Sequence, residues 1–488
     1  MKHRLFRKVL VANRGEIAVR VMRACRELGI QTVAIYSDAD AGAIHRRYAD
    51  EAHRIGEAAA TASYLQLEKI VKLAADVGAQ AIHPGYGFLS ERPEFPEACA
   101  AAGIAFIGPP ASAMRAMGSK LEARTLAAEH GVPVTPGSDA LEDPEEAARV
   151  AREIGFPVIV KPSGGGGGIG MKVVEEEADL VPSIESCRNA ARSAFGDPTV
   201  YVEKYVRNPR HIEIQVIADS HGSVVHLGER ECSIQRRHQK IMEETPSPAV
   251  TPEIRARMGE AAVRAAAAAG YVNAGTVEFI FSEGDFYFLE VNARLQVEHP
   301  ITEEVTGVDL VKEQIRVASG MPLSFRQEQV SWTGHAIEMR INAEDPARGF
   351  LPNPRRITRW VAPSGPGVRV DSGFGPGSEV PPNYDSLVAK LIVHGADRAE
   401  AVARARRALG EYLLVGPATT IPYHRAILES GDFLAGKLTT RFIEDHPELV
   451  DRARELATEP SPMDYGADPR HLAAAAAAVA AVTQGGAR

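Results

Sequence analysis

Two runs, Val277-Glu278-Phe279-Ile280-Phe281 and Phe286-Tyr287-Phe288-Leu289-Glu290, flank a short polar segment containing Gly284, which is the pattern of a β-hairpin. A three-residue loop, Glu283–Asp285, pairs Ser282 with Phe286 and sets Glu278 directly opposite Glu290. Two carboxylates side by side repel each other unless a proton or a cation lies between them. Strand alternation projects Glu290, Asn292 and Arg294 to the same face. Glu, Glu and Asn are hard oxygen ligands that suit Mg²⁺ held jointly with substrate phosphates, and Arg294 would stand beside the metal as an anion clamp. Val277, Phe279, Phe281, Leu289 and Val291 fall to the opposite, apolar face.

A second chemical signal lies upstream. Phe156–Pro162 is an apolar strand carrying Lys161; Ser163 to Gly170 reads SGGGGGIG, and Met171–Val174 returns to strand. A Walker A loop needs Gly-Lys-Ser/Thr and opens a helix, as does a dinucleotide fingerprint. Strand, glycines and strand again leave a flexible hairpin whose backbone N–H groups can fold over an anion, with Lys161 at its base as a point charge. His211, Glu213 and Gln215 share one face of a further strand, with aliphatics on the other. The run Glu229–Lys240 is dense in donors, and taken alone it reads as solvated surface or a weak nucleic-acid patch. No aromatic residues interleave with it for base stacking.

The elements that must carry these residues follow from periodicity. Lys8–Ala12, Thr32–Tyr36 and Ala81–His83 read as strands, alternating with helices over Ile17–Leu28 and Tyr64–Ala75. That rhythm predicts a parallel sheet with helices on its faces and ligands beyond its carboxyl ends, where Asn13-Arg14-Gly15-Glu16 and His83-Pro84-Gly85-Tyr86-Gly87 fall. Pro133, Pro136 and Gly137 mark a boundary, and a compact βαβ-type insert holds the glycine cluster up to about Val206. Strands then dominate, at His211–Ala218, Thr276–Phe281 and Phe286–Arg294, and in short pieces from Gly334 to about Val393. Helices around Ala399–Leu413 and Pro422–Leu428 close the globular part, and the Ala/Pro-rich tail beyond Val450 reads as a helix on a loose tether.

The chain has 488 residues, and its 55 Lys and Arg against 64 Asp and Glu give a net charge of −9. That surface repels phosphate backbones and argues against nucleic acid as a partner. The most apolar stretch, Leu472 to Val482, is too short to span a bilayer, and the N-terminus fits no signal peptide, so no membrane partner is expected. Cys25, Cys99, Cys187 and Cys232 are far apart without a C-x-x-C, and read as reduced thiols of a cytoplasmic protein.

Assembled, these features resemble the ATP-grasp enzymes and, more closely, biotin carboxylase. The segments that carry the resemblance are KVLVANRGEIAVRV, IHPGYGFLSE, MGSK, VIVKPSGGGGGIGMK, ERECSIQRRHQK, FLEVNARLQVEHPITEEVTGVDL and GHAIEMRINAEDP, in order across Phe6 to His446. The resemblance implies an α/β fold, α+β overall, in six parts. These are a Rossmann-like parallel N-terminal domain (1–118), a linker (119–134), an ATP-grasp lid (135–206), a central catalytic part (207–330), a β-rich mixed C-terminal domain (331–446) and the tail (447–488). It implies carboxylation of biotin by bicarbonate and ATP through carboxyphosphate, the first half-reaction of acetyl-CoA carboxylase or a related carboxylase. Another ATP-grasp carboxylate ligase is the alternative.

By the same resemblance, Lys120, Lys161, Glu203, Lys204, Tyr205, Val206, His211, Gln235 and His238 hold ATP, with Gly167 and Gly168 closing over its phosphates. Glu278, Glu290 and Asn292 hold Mg²⁺ or Mn²⁺, the two glutamates also facing ATP. Lys240, Arg294, Gln296, Val297 and Glu298 surround bicarbonate, with Glu298 as base, and Tyr86 and Arg340 contact biotin. Lys240, Arg294, Glu298 and Arg340 are the expected catalytic set. The chain has no Ala/Val-Met-Lys-Met biotin-acceptor motif, so the implied partners are a biotin carboxyl carrier protein and a carboxyltransferase, with a homodimer as the assembly. Ile169 stands where the family often has a basic residue, and Asn383 where it often has Tyr.

Overall fold

The computed structural model describes residues 4–141, 144–164 and 170–464. Gly167, Gly168, Ile169 and the expected tail helix lie outside the described residues.

Strands β1 (Lys8–Val11), β2 (Gln31–Ser37), β3 (Glu51–Gly56), β4 (Ala81–His83) and β5 (Ala105–Phe106) form a parallel sheet in the order β3-β2-β1-β4-β5. Val9, Leu10, Val11 and Ile82 are wholly buried, as central strands covered on both faces must be. Periodicity passes over β3 because Glu-Ala-His-Arg-Ile-Gly is half polar, which an edge strand tolerates. The helix expected from Tyr64 begins at Leu67; Tyr64 is buried in the preceding turn, its hydroxyl donating to Asp40 Oδ2 at 2.6 Å. The strand order reverses between β1 and β4, the place where such sheets bind ligands. There Asn13 Nδ2 donates to the carbonyls of Pro84 (2.7 Å) and Tyr86 (2.8 Å), stitching the two turns together. Gly85 has φ +64°, and a Cβ on it would lie 2.8 Å from Asn13 Nδ2, so only glycine fits.

β6 (Val158–Pro162), β7 (Lys172–Val174) and β8 (Val200–Lys204) form a small antiparallel sheet in the order β7-β6-β8. The helix Leu180–Phe195 crosses from β7 to β8 over β6, a split βαβ unit with a core that includes Val158, Val160, Ile184 and Val202. β6 and β7 are the two sides of the glycine hairpin.

The largest element is an antiparallel sheet ordered β13-β12-β9-β10-β11-β14-β19-β18. Its strands are β9 (Arg210–Ala218), β10 (Val224–Arg236), β11 (Gln239–Thr245), β12 (Asn273–Ser282), β13 (Asp285–Asn292), β14 (His335–Asn342), β18 (Val368–Ser372) and β19 (Leu387–Gly395). The minor pairs are β15 (Glu344–Asp345) with β16 (Leu351–Pro352), and β17 (Arg359–Val361) with β20 (Leu413–Val415). The β11–β14 pairing carries the sheet without a break from the central segment into the C-terminal one. Alternation decides its two faces. Ile212, Ile214, Val216, Val277 and Phe279 pack on the helix Pro252–Ala268, and Ile337, Met339 and Ile341 pack on the helices Arg398–Glu411 and Ile421–Glu429. The intervening polar residues face the other way, toward the parallel sheet. No helix among the described residues is long and apolar enough to cross a membrane.

Candidate active site

A cavity of about 840 Å³ opens between the parallel sheet, the small β6–β8 sheet and the polar face of the large sheet. The turns after β1 and β4 line it with Arg14, Gly15, Glu16 and Tyr86, as the switch-point argument expects.

Glu278 does lie opposite Glu290, but by a different route from the one the spacing suggests. The loop has two residues, Glu283 (φ +53°) and Gly284 (φ +90°), with Ser282 paired to Asp285. A β-bulge at Leu289 supplies the extra residue, so the register returns at Glu278–Glu290. The bulge also corrects one assignment: Leu289 lines the cavity beside Ile280 instead of joining the apolar face. Asn292 and Arg294 line the cavity too. Arg294 Nε pairs with Glu91 Oε2 at 2.8 Å, while its other nitrogens reach Gln296 Oε1 (2.7 Å) and Asn292 Oδ1 (3.1 Å).

The donor-dense run is not solvated surface. It forms the β10–β11 hairpin, in which Arg230, Glu231 and Ser233 are buried and the turn residues Arg237 and His238 both take positive φ. The Arg230 guanidinium is wholly enclosed and finds acceptors on Glu213 (2.6 Å), Gln215 (2.6 Å), Thr302 (2.9 Å) and Thr276 (3.1 Å). That satisfaction is what permits a charge there. Lys240 Nζ sits among three carboxylates, at 2.5 Å from Glu213, 2.9 Å from Glu278 and 2.7 Å from Glu298. Burial works against its charge, but the three anions outweigh it and hold the ammonium well above the usual lysine range.

Glu298, at the start of the helix His299–Thr306, is fully buried behind the cavity wall. Oε1 accepts from Lys240, Oε2 accepts from Arg340 Nη2 at 2.9 Å, and Cys232 Sγ lies at 3.9 Å. Burial would raise its carboxyl; Lys240, Arg340 and Arg230 together hold it well below the usual range, so it is an anion. Burial likewise works against the charge of Glu278, and Lys240 and His211 overcome it and keep the carboxyl ionised; His211 Nε2 stands 3.2 Å from its Oε2.

At the end of the cavity nearest β6 and β8, Lys120 pairs with Glu290 (3.0 Å) and Lys161 with Glu203 (2.5 Å), and Arg124 steadies Glu203 from 3.3 Å. Lys204 donates to the carbonyls of Gly155 (2.8 Å) and Phe156 (3.3 Å). Lys120, Lys161, Lys204, Tyr205, Val206, His211, Gln235 and His238 line the cavity with apolar Ile159, Met171 and Ile280, whereas Glu203 is buried behind them. At the opposite end, Gln296, Val297, Tyr86 and Arg340 line the wall, and the Tyr86 hydroxyl donates to Glu16. Arg340 does not bond Glu338, two residues along its strand; its guanidinium is shared between Glu298 and Glu243 (2.5 Å).

The donor set fits a hard cation: two directly opposed glutamates and the amide of Asn292 line the same cavity, and the neighbours of the glutamates are ammonium, imidazole and amide donors. Two other groups have ligating atoms within 4.8 Å, His211/Glu213/Glu278 and Glu213/Cys232/Glu298. Lys240 already stands in both, bonded to Glu213, Glu278 and Glu298.

Three residues of this constellation are not assigned by the sequence: Glu91, Glu243 and, as more than a face-sharing residue, Glu213. Glu91 ends the segment IHPGYGFLSE, which is a usable signal; the others are placed only by strand pairing.

Comparison with known proteins agrees with this geometry. Residues 5–114 match the model of the biotin carboxylase N-terminal domain, 119–326 that of the carbamoyl-phosphate synthase L chain ATP-binding domain, and 338–445 that of the biotin carboxylase C-terminal domain. The chain is an α/β enzyme of the ATP-grasp fold, and it belongs to the biotin carboxylase family. It is 58% identical to a pyruvate carboxylase subunit of Methanothermobacter thermautotrophicus over 461 residues, 94% of each chain. It is 53% identical to biotin carboxylase 1 of Bacillus subtilis, over 91% of this chain and 99% of that one. The biotin carboxylase domain of Hydrogenobacter thermophilus 2-oxoglutarate carboxylase, a dimer solved with MgADP, ADP and bicarbonate, superposes with a TM-score of 0.87. That structure is 51% identical and covers 92% of this chain and 99% of its own.

Proposed function

We propose that this chain carboxylates biotin with bicarbonate and ATP, with Mg²⁺ or Mn²⁺, by the following division of labour. One observation carries the reading: Glu298 is held between Lys240, which also bonds Glu278 of the metal pair, and Arg340, on the biotin side. A single carboxylate thereby joins the phosphate end of the cavity to its far end.

Lys120, Lys161, Glu203, Lys204, Tyr205, Val206, His211, Gln235 and His238 bind ATP, its base against Ile159, Met171 and Ile280 and its phosphates toward Lys120 and Lys161. Gly167 and Gly168 are proposed to close over those phosphates. Glu278, Glu290 and Asn292 would hold the divalent cation, which offsets phosphate charge when bound. Bicarbonate enters beside Lys240, Arg294, Gln296 and Val297. Its negative charge draws Lys240 away from Glu298, which releases the basicity that the ammonium suppresses in the unliganded site. Glu298 then takes the bicarbonate proton, and the oxygen attacks the γ-phosphorus in line to give carboxyphosphate and ADP. Carboxyphosphate breaks to CO₂ and phosphate, and phosphate takes the N1′ proton of biotin. Arg340 and Tyr86 hold the ureido group, with Arg340 offsetting the charge on its oxygen while N1′ captures CO₂.

Biotin arrives on a separate carrier protein, and a carboxyltransferase takes the product onward. The assembly we propose is a homodimer in the cytoplasm, where the four buried, unpaired cysteines stay reduced.

Glu290→Gln tests the phosphate end. A neutral amide is the poorer ligand for a hard cation, so the Mg²⁺ needed for half-maximal ATP cleavage should rise by about tenfold or more. Overlapping Mg²⁺ titrations for variant and wild type would remove Glu290 from the metal site. Stimulation of ADP release by an amino acid, with none by bicarbonate and biotin, would point instead to another ATP-grasp ligase.

A further inference from the structure

Behind Arg340 lies a second pair of acidic residues, of which one, Glu243, bonds it. Glu243 on β11 and Glu338 on β14 are directly opposite in the antiparallel register, both fully buried, with side chains on the cavity-facing side of the sheet. Residues so placed have Cβ atoms about 4.5–5.5 Å apart. Glu243 Oε1 accepts from Arg340 Nε at 2.7 Å and lies 2.5 Å from its Nη2 as an ion pair, while its Oε2 meets no donor among the described residues. Neither oxygen of Glu338 has a hydrogen-bond partner among them either.

The surrounding charges come from every neighbouring strand and from the covering helix. Lys240 lies on β11 itself, and Arg230 and Cys232 face the cluster from β10. From β19, Lys390 is directly opposite Arg340, but it is engaged by the Val297 carbonyl at 2.8 Å and by Glu16 at 3.4 Å. On β18, Asp371 faces Lys390 and is held by Arg369. From the helix side come Glu298, an anion, and His299, kept neutral by burial and by the nearby Lys390, Arg20 and Arg369. Glu338 is thus an enclosed carboxyl with an opposing carboxyl and no donor of its own. Burial and Glu243 push it well above the usual range, against the pull of Lys390 and Arg340; burial and Glu298 push Glu243 up to about 7 despite Arg340.

We propose that Glu243 and Glu338 are positioning residues that hold one proton between them, so that the pair adds one negative charge, not two, beside that of Glu298, and Arg340 keeps more of its cationic character for the biotin ureido oxygen. This rests on the biotin carboxylase reading above. With both carboxyls ionised, Arg340 would face Glu243, Glu338 and Glu298 together, and its field at a developing anion would be cancelled. With both protonated, its ionic hold on Glu243 would be gone and Glu298 alone would anchor it. The sign follows: loss of the shared proton as pH rises lowers biotin-dependent turnover. It leaves bicarbonate-dependent ATP cleavage, served by Lys240 and Arg294, much less affected.

The test combines infrared difference spectra across pH with rate profiles for wild type, Glu338→Gln and Glu243→Gln. At neutral pH the wild type should show the C=O stretch of a buried protonated carboxyl, lost on alkalinisation and absent from Glu338→Gln. The alkaline limb of biotin-dependent kcat/KM should move up by a full pH unit or more in Glu338→Gln. Glu243→Gln, which removes that ionic hold on the guanidinium, should lower that constant by about 10- to 100-fold at neutral pH. Absence of the carboxyl band from wild type overturns the proposal, even if Glu338→Gln fails to fold. So do persistence of the band in Glu338→Gln and superimposable alkaline limbs. A wild type that makes no carboxybiotin defeats the functional reading instead, and the infrared band still decides whether the pair shares a proton.

Discussion

Replacing Glu298 with Gln is expected to lower bicarbonate-dependent ATP cleavage by about 10²–10⁴-fold, the usual contribution of a positioned general base. The amide has the shape of the carboxyl but cannot accept the proton. The substitution also leaves a positive surplus, and removing one partner of a buried pair commonly costs about 3–5 kcal/mol. Here that cost is cushioned: Lys240 keeps Glu213 (2.5 Å) and Glu278 (2.9 Å), and Arg340 keeps Glu243 (2.5 Å). The variant should therefore fold and bind nucleotide almost as the wild type does, since Glu298 lies behind the wall and beyond Glu278 and Glu290. Single-turnover ADP formation, with nucleotide binding measured on the same preparation, separates the two effects. Unchanged turnover would remove Glu298 as the base, and joint loss of turnover and nucleotide binding would make its role structural.

Arg340→Ala should divide the reaction differently. Its guanidinium reaches the cavity from β14 with Glu298 and Glu243 behind it. An exposed Arg–Glu pair would be worth about 0–1 kcal/mol and would not touch catalysis. This arginine is instead mostly enclosed and, in the proposed reaction, is poised where charge develops on the ureido oxygen once N1′ loses its proton. Losing such a donor raises the barrier by about 2.7–4 kcal/mol, so carboxybiotin formation from free biotin should fall by about 10²–10³-fold. Bicarbonate-dependent ATP cleavage without biotin should fall much less, because Lys240 and Arg294 remain. Both rates are measured with labelled bicarbonate in one preparation. A parallel fall would assign Arg340 to bicarbonate or to folding.

Much of this site is legible in the sequence because strand alternation is a local property. The faces of β9, the antiparallel β6–β7 pair that flanks the glycine run and the two turns beyond β1 and β4 follow from residue order alone. The Glu278–Glu290 pairing follows even from the wrong loop length, because one extra residue has the same effect on register in a loop or in a bulge. Only the bulge turns Leu289 toward the cavity. The run Glu229–Lys240 misleads for a different reason: charge density reads as exposure unless the acceptors are known. Those on Glu213, Gln215, Thr276 and Thr302 come from other strands and from a helix whose Thr302 is 72 residues downstream of Arg230. Glu243 and Lys390 are legible only after β11, β14 and β19 are aligned.

In the proposed reaction an oxygen of bicarbonate attacks the γ-phosphorus of ATP before carbon reaches biotin, and every assigned residue depends on that order. The most direct measurement is the oxygen isotope content of the phosphate released when ATP, free biotin, Mg²⁺ and ¹⁸O-labelled bicarbonate turn over in unlabelled water. Each phosphate formed should carry one ¹⁸O atom, in step with carboxybiotin. Phosphate free of label at the same carboxybiotin yield would contradict that order, because water would then be the nucleophile and Glu298, Lys240 and Arg294 would need other roles.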